Sequence, residues 1–196
     1  MNKSIYAITG SLGFVGFNLS KYLIDSGHGV IGIDIDNNSD PLREWRYKES
    51  EKIGVKTLIA DISDKYQIES VSNELNKIGH IKSIFHLAGL AGVRKSIENP
   101  DKYYNVNLRG TFNMLQLLKS IEANSLVFSS TSSVYGDISA GYFSKESDSL
   151  NTISPYASSK LNAEKLCELF SNLYKLNISV LRYFTVYGVA GRPDMS

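Results

Sequence analysis

The sequence predicts an α/β protein in which helices cover both faces of a parallel sheet, the doubly wound arrangement. Short apolar runs alternate along the chain with longer runs of helical period, which indicates repeated β–α units. A glycine-rich turn follows the first strand, and an aspartate ends the second. At 196 residues the chain is long enough to bury one core, so one domain is the first expectation.

The first β–α unit is predicted to hold phosphate groups. A short apolar run at 4–9 is followed by Gly10, Gly13 and Gly16, and then by a helical pattern that stops at Gly27. Glycines in such a turn let the backbone approach a pyrophosphate closely. The start of the helix offers free N–H groups and the positive end of its dipole. This order therefore predicts a nucleotide-binding loop.

The second strand, at 30–33, ends in Asp34, eighteen residues beyond Gly16. A carboxylate there accepts hydrogen bonds from the adenosine ribose hydroxyls and repels a 2′-phosphate, which favours NAD over NADP. The alternative is an ordinary β–α–β unit with a solvated aspartate. The glycine turn before it makes the dinucleotide interpretation the stronger one.

The third strand is predicted at 55–59, after a polar segment at 36–52 that is expected to be a loop with a short helix. Asp61 and Ile62 follow the strand, where an adenine ring could be contacted. A helix at 65–78 completes this unit.

The fourth strand, predicted at 83–87, leads into the sequence His-Leu-Ala-Gly at 86–89. The small residues there let the backbone come close to a ligand. His86 has apolar neighbours on a strand, so we expect it to be packed rather than catalytic.

A long helix is predicted at 100–121, followed by a fifth strand at 125–128. Asn107 is polar on this largely apolar helix and is either exposed or braces the sheet. Hydroxyl residues cluster at 129–135, directly after the strand. This end of a parallel sheet is where a ligand binds, so a functional role is favoured over that of an ordinary loop.

The last β–α unit begins after a polar excursion at 137–152 and contains a helix that is capped by Ser154, with a sixth strand at 178–183. Tyr156 and Lys160 are four residues apart, so they share one face of that helix. A neighbouring ammonium favours the phenolate, which makes Tyr156 a candidate general base. A tyrosine and a lysine at this spacing often occur by chance, so the motifs elsewhere in the chain decide whether the pair is functional.

Composition excludes several classes of function. The chain has 21 basic and 20 acidic residues, so no basic surface for nucleic acid is expected. The single Cys167 excludes a disulfide framework and a cysteine metal cluster, and we predict a buried thiol and no metal. No segment approaches the length of a membrane span. These features together predict a reduced, cytoplasmic protein.

The motifs together resemble the extended short-chain dehydrogenase/reductase family, essentially from end to end. The resemblance implies a Rossmann fold that binds NAD. It implies that Tyr156 is the acid/base, that Lys160 lowers its pKa and holds the nicotinamide ribose, and that Thr131 bonds the reacting hydroxyl. The implied cofactor-binding residues lie at successive strand ends: Gly10, Gly13, Phe14, Val15, Gly16, Asp34, Asp61, Ile62, Leu87, Ala88, Gly89, Tyr156, Lys160 and Tyr183.

Within this family, residues 132 and 133 argue for epimerisation. The sugar-nucleotide dehydratases carry Asp-Glu directly after the catalytic Thr, because eliminating water needs another acid and base, and the decarboxylases have a Glu there. This chain has Ser132 and Ser133, so both activities are disfavoured. The activity that remains is epimerisation, in which a sugar carbon is oxidised and then reduced on its opposite face.

Two stretches, at 91–100 and 182–195, look like those of the UDP-glucuronate 4-epimerases. Thr185 stands where UDP-glucose 4-epimerases usually have Asn, whereas Gly89 and Leu90 are closer to those enzymes. An Arg grips a carboxylate with two hydrogen bonds. The residues that the resemblance associates with substrate are Thr131, Ser132, Ser133, Tyr156, Thr185 and Arg192.

Members of this family continue past the Arg-Pro-Asp-Met sequence at 192–195 into a smaller substrate domain. We therefore expect a NAD-binding domain at 1–183 and the start of a truncated substrate region at 184–196. Three hypotheses stay open: a UDP-glucuronate 4-epimerase, a non-catalytic NAD-binding fragment, and an epimerase of UDP-glucose or UDP-N-acetylhexosamine. The resemblance also implies a homodimer that pairs through the helices near 101–121 and 156–174.

Overall fold

The computed structural model of the protein describes residues 3–35, 40–139 and 141–191. Within them, six strands form one sheet in the order β3–β2–β1–β4–β5–β6, and every neighbouring pair is parallel. The order reverses between β1 and β4, and doubly wound sheets bind ligands beyond the strand ends at such a point. The strands are β1 (Ile5–Thr9), β2 (Gly29–Asp34), β3 (Lys56–Ile59), β4 (Ile81–His86), β5 (Ser125–Thr131) and β6 (Ile178–Tyr183).

The helices lie between the strands in sequence, which confirms the predicted doubly wound α/β class, the Rossmann fold. Their bounds are α1 (Phe14–Asp25), α2 (Pro41–Lys52), α3 (Lys65–Ile78), α4 (Val93–Glu98), α5 (Pro100–Tyr103), α6 (Gly110–Ser120) and α7 (Pro155–Tyr174). None of these helices, in the part of the chain that the structure describes, is long and apolar enough to cross a bilayer.

Apolar side chains form a core on each face of the sheet. On one face, residues of α3, α6 and α7 pack against the strands around Phe128, which is fully buried. On the other face, Leu23 of α1 packs with Ile8, Val30 and Val55. Because successive strand residues point to opposite faces, the apolar residues of β1 and β2 serve both cores.

Cys167 lies in the larger core at 1% exposure and forms no disulfide, as the sequence predicts. Burial raises the pKa of its thiol to about 12.

The sequence predicts one continuous α-helix at 100–121, and this prediction is wrong. A π-helical segment, Tyr104–Arg109, separates α5 from α6. A π segment inserts an extra residue into a helical turn and often marks a functional position. Its buried side chain is Asn107, at 1% exposure, so Asn107 braces the interior rather than facing solvent.

Two other elements are longer than the sequence indicates. Helix α2 spans 12 residues, because Asp40 caps it by accepting from the N–H groups of Leu42 and Arg43, and Pro41 occupies its first turn. Strand β5 continues to Thr131, beyond the predicted end at 128, through pairing of Thr131 with Tyr183 on β6. Thr131 is therefore held by the sheet rather than by a loop.

Candidate active site

The glycine loop after β1 has the close backbone contacts that its sequence predicts. Gly10 has a φ of +70°, and a Cβ there would lie 2.8 Å from the Ala88 nitrogen. A Cβ on Gly16 would lie 2.2 Å from the Gly10 carbonyl oxygen. Helix α1 begins after Gly13 with no side-chain cap, so its first turn, which contains the partly exposed Phe14 and Val15, keeps N–H groups for a ligand.

Asp34 lies at the end of β2, beside the glycine loop, and its carboxylate already holds three donors. Its Oδ2 accepts from the Leu12 N–H at 2.8 Å. Its Oδ1 accepts from the Ile35 N–H at 2.8 Å and from the Arg43 guanidinium of α2, an ion pair that the sequence did not reveal. A carboxylate has about four acceptor positions, so one remains for a ribose hydroxyl.

Asp61 and Ile62 follow β3 but are largely committed to the protein. The Asp61 carboxylate accepts from the backbone and hydroxyl of Ser63, at 2.8 and 2.7 Å. Ile62 is 4% exposed and its side chain belongs to the larger core, while its carbonyl accepts from the Asn113 amide at 2.8 Å. Of this pair, the Asp61 side of the loop is the accessible one.

The segment after β4 runs beside the glycine loop. The N–H groups of Leu87 and Ala88 bond to the carbonyl and hydroxyl of Thr9, at 3.2 and 3.1 Å. Gly89 is exposed, and a Cβ there would lie 3.1 Å from Asn107 Oδ1, so the chain passes close to the π segment.

His86 is packed, as predicted. Its ring is 1% exposed, stacks on Phe128 with centroids 5.5 Å apart, and bonds to Thr9 at 2.8 Å and Thr111 at 3.1 Å. Burial, and then the nearby charge of Lys160, lowers the pKa of His86 to about 3. The imidazole is therefore neutral at physiological pH.

The structure brings Thr131, Tyr156 and Lys160 together at the carboxyl ends of the strands. Helix α7 starts at Ser154, whose hydroxyl accepts from the Ala157 N–H at 3.1 Å. This cap places Tyr156 in the first turn, with the Thr131 hydroxyl in hydrogen-bonding reach. Thr131 is also 3.2 Å from the Ser133 hydroxyl, so its single hydrogen serves either partner.

The expected lowering of the Tyr156 pKa is wrong for the structure as it stands. Burial raises the pKa of Tyr156, and the hydrogen bond from Thr131 opposes this rise. Tyr156 packs edge-on against Tyr103, with centroids 6.1 Å apart, and desolvation by such neighbours disfavours the phenolate. Its resting form at neutral pH is the phenol.

Lys160 is buried at 6% exposure, with its ammonium 4.3 Å from the centroid of the Phe128 ring. Burial lowers the pKa of Lys160 to about 8, and electrostatic interactions, with Cys167 first and Glu164 second, oppose this shift. A lysine with this pKa changes charge near physiological pH, which makes its neighbours important for the state of the site.

The remaining predicted substrate residues lie around this centre. Ser132 and Ser133 form a 3-10 turn with Tyr135, and both are partly exposed. Tyr183 is half-buried at the end of β6, where burial raises the pKa of its phenol. Thr185 is exposed two residues later, and Arg192 lies outside the described residues.

Sequence reasoning left the role of Asn107 open, and the structure resolves it. Asn107 Oδ1 accepts from the Leu90 N–H at 2.7 Å, and its Nδ2 donates to the Leu90 carbonyl and the Ser159 hydroxyl, both at 3.0 Å. It therefore joins the segment after β4 to helix α7. Its polarity on an apolar helix was the available signal.

Sequence reasoning gave Glu164 no role, and it singled out Arg182 only as part of the stretch at 182–195. Glu164 of α7 is 7% exposed and receives the Arg182 guanidinium from β6, with the closest contact at 2.8 Å. Its carboxylate also accepts from the Ser130 hydroxyl. The signal was a glutamate four residues after Lys160, on the same helical face.

Comparison with known proteins gives this arrangement its context. Residues 6–196 match the NAD dependent epimerase/dehydratase family. The chain belongs to that family. It is 40% identical over 195 residues to a UDP-glucuronate 4-epimerase of Thermodesulfobacterium geofontis, covering 97% of this chain and 58% of that protein. It is 38% identical over 192 residues to UDP-glucuronate 4-epimerase 4 of Arabidopsis thaliana, covering 96% of this chain and 43% of the relative.

Solved structures of family members superpose closely on the chain. One is the UDP-glucuronic acid 4-epimerase of Bacillus cereus in complex with UDP-glucuronic acid and NAD, at a TM-score of 0.86 and 32% identity, covering 97% of this chain and 60% of that one. Another is the Thermus thermophilus UDP-glucose 4-epimerase complex with NAD, at a TM-score of 0.85 and 29% identity, covering 96% and 58%. The chain thus spans little more than half the length of most relatives described here.

Proposed function

We propose that this chain carries the cofactor-binding and catalytic part of a NAD-dependent nucleotide-sugar 4-epimerase, and that its substrate is UDP-glucuronate. The observation that carries this proposal is the convergence of Thr131, Tyr156 and Lys160 at the carboxyl end of β5, in a chain of this family. Two relatives at 40% and 38% identity are UDP-glucuronate 4-epimerases, which favours the acidic sugar.

The residues at the sheet edge fit NAD. Gly10 and Gly16 permit the tight backbone turn that leads into α1, whose uncapped start could bind a pyrophosphate through its N–H groups. Asp34 retains an acceptor position for a ribose hydroxyl. In this proposal the Lys160 ammonium donates to the nicotinamide ribose. Bound NAD⁺ supplies a hydride acceptor that also returns the hydride, so C4 of the sugar is oxidised and then reduced on its other face.

The protein's own residues handle the proton of the sugar 4-hydroxyl. Tyr156 takes that proton as a phenolate in the oxidation step and returns it as a phenol in the reduction step. Because burial favours the phenol, the cation of Lys160 is needed to make the phenolate accessible. Thr131 donates to the reacting oxygen and holds it in line with Tyr156.

Hydroxyl groups near this centre are suited to the carboxylate of the sugar. Ser132 and Ser133 start the turn after β5, and Thr185 is exposed after β6. We propose that these hydroxyls bind the glucuronate carboxylate together with Arg192.

The substitution Tyr156→Phe tests the proposal. We expect loss of UDP-galacturonate formation from UDP-glucuronate, with NAD affinity retained, because only the phenolic oxygen is removed. Product is measured by chromatography of the nucleotide sugars, and NAD affinity by calorimetry. Turnover by Y156F at the unsubstituted rate would show that Tyr156 has another role.

Two alternatives are separated by the same assay. A non-catalytic NAD-binding fragment would bind NAD and form no product. The chain spans 58% of the Thermodesulfobacterium geofontis relative and 60% of the Bacillus cereus enzyme. A UDP-glucose or UDP-N-acetylhexosamine epimerase would turn over the neutral sugar and leave UDP-glucuronate unchanged.

We also propose that the chain forms a homodimer through α7 and the helices at 100–120. Leu169 and Leu173 of α7 are 48% and 62% exposed, and Tyr104 is 36% exposed, so these helices present apolar surface. Burying such surface between two copies is favourable. Sedimentation that finds only monomer at micromolar concentration would disprove this pairing.

A further inference from the structure

A buried group of charges lies directly behind the candidate active site. Glu164 is one helical turn beyond Lys160 on α7, which places their Cβ atoms about 5–6 Å apart. Its carboxylate is 7% exposed and accepts from Arg182 Nε at 3.1 and 3.2 Å and from Arg182 Nη2 at 2.8 Å. The Arg182 side chain is 17% exposed and lies over the Tyr135 ring, 5.1 Å from its centroid.

This group connects three elements that carry the site. Glu164 belongs to the helix that presents Tyr156 and Lys160. Its hydrogen bond from Ser130, at 3% exposure, reaches the residue before Thr131 on β5, and Arg182 is the residue before Tyr183 on β6. A carboxylate held by two strands fixes the position of Thr131 relative to α7.

Glu164 also adds a negative charge one helical turn from Lys160. The neutral His86 of β4 and the ring of Phe128 of β5 face the ammonium. Tyr156 lies one helical turn before Lys160 on α7, and Cys167 two turns after it. Both are protonated at neutral pH because burial raises the pKa of each.

Among the charged groups in the described part of the site, Arg182 adds a second cation on β6, and Glu164 is the anion that pairs with it, one helical turn from Lys160. Without that anion, two cations would lie in a desolvated region, and Lys160 would lose its proton more readily.

We propose that Glu164 is a positioning residue for the proposed reaction: it ties α7 to the strand of Thr131 and keeps Lys160 in its ammonium form. This proposal rests on the proposed function only for the effect of Glu164 on catalysis, because the charge on Lys160 is what makes the Tyr156 phenolate accessible. The structural relation itself is independent of which sugar is bound.

The substitution Glu164→Gln tests the proposal, because glutamine keeps the size and the acceptor oxygen but removes the charge. The measurement is an NMR titration of the Lys160 side chain in the lysine-labelled 196-residue chain. The Lys160 signal is identified by its disappearance in Lys160→Met. In the unsubstituted protein we expect titration near the pKa of Lys160, which burial lowers to about 8. In E164Q the midpoint should move down by about 1 pH unit.

Glu168→Gln is the matched control. Glu168 lies one turn further along α7, is exposed, and pairs with Lys165 at 3.0 Å. We expect E168Q to leave the Lys160 midpoint unchanged. An unchanged midpoint in E164Q would overturn the proposal, because a residue that only packs the helix would not set the charge of Lys160.

Two further variants keep the test decisive if E164Q does not fold. Glu164→Asp shortens the side chain by one methylene and so moves the carboxylate away from Lys160. It must also lower the Lys160 midpoint, and an unchanged midpoint would overturn the proposal. Ser130→Ala removes a donor but keeps the charge, so the midpoint should not fall, and a fall would overturn it. The titration needs no substrate and no cofactor, so its failure is distinct from failure of the Tyr156 assay.

Discussion

Asp34 and Arg43 together determine the charge that a dinucleotide meets at the end of β2. The preference for NAD over NADP was argued from an unbalanced carboxylate that repels a 2′-phosphate. In the structure, Arg43 of α2 forms an ion pair with that carboxylate, and Asp34 is only 6% exposed. The repulsion is therefore weaker than the sequence predicts, because the Arg43 guanidinium offsets the charge of that carboxylate.

The variant Arg43→Ala should strengthen discrimination against NADP. Removing the guanidinium leaves Asp34 unbalanced, so we expect NADP affinity to fall about tenfold more than NAD affinity, the effect of one charged hydrogen bond. Calorimetric titration with each dinucleotide measures this ratio. Lys48→Ala on the same helix, whose exposed side chain pairs with Glu44, is the control and should leave the ratio unchanged. Equal losses for both dinucleotides in R43A would contradict the argument.

At the scale of elements, Asn107 holds the π segment in place. Its side chain satisfies both backbone groups of Leu90 and the hydroxyl of Ser159 at 1% exposure. The segment after β4, the π segment and α7 are thereby joined next to Lys160. Buried polar groups that lose such partners cost about 1–3 kcal/mol each.

The variant Asn107→Ala should lower the free energy of unfolding by about 2–4 kcal/mol, because it leaves the N–H and C=O of Leu90 unpaired. Urea denaturation followed by circular dichroism measures the change. Asn105→Ala is the control, since Asn105 lies in the same π segment and is exposed. Equal effects of the two substitutions would show that the amide network does not hold the segment.

The elements themselves were largely predictable, since periodicity is a local property of the sequence. Helix α3 and strand β6 have the predicted bounds, and α7 begins at the predicted Ser154 cap. The π segment was not predictable, because its cause is a set of contacts to Leu90 and Ser159, 17 and 52 residues from Asn107.

The difference between local sequence patterns and contacts between distant residues also explains which site residues the sequence predicted. Thr131, Tyr156 and Lys160 follow from motifs at strand ends, and the structure brings them together. Two ion pairs near the site were missed: Arg43 of helix α2 pairs with Asp34 of strand β2, and Arg182 of strand β6 pairs with Glu164 of helix α7. Side-chain pairs across elements leave no periodic pattern in a sequence.

At the scale of the whole molecule, the carboxyl edge of the sheet buries two bases that are charged in the unfolded chain. The pKa of His86 is lowered from 6.5 to about 3 and that of Lys160 from 10.5 to about 8, in both cases mainly by burial. A lowered pKa means that the unfolded chain binds more protons within each interval, so stability rises with pH there. For His86 this interval is pH 3 to 6.5, and for Lys160 it is pH 8 to 10.5.

Acid should therefore destabilise the protein through His86 before most carboxylates titrate. As pH falls from 6.5 towards 4, the unfolded chain takes up a proton that native His86 refuses, which costs up to about 1.4 kcal/mol per pH unit. His86→Gln keeps polar atoms between Thr9 and Thr111 but cannot be protonated, so its stability should fall less steeply with acid. Urea denaturation at about pH 4.5, 5.5 and 6.5, at and below the usual histidine pKa, gives the slope of unfolding free energy against pH for both proteins.

His80→Gln is the control: it lies at an exposed position and should keep the slope of the unsubstituted protein. If H86Q also kept the slope of the unsubstituted protein, native His86 would have to accept a proton as pH falls from 6.5. Its burial would then not control the acid sensitivity of the fold.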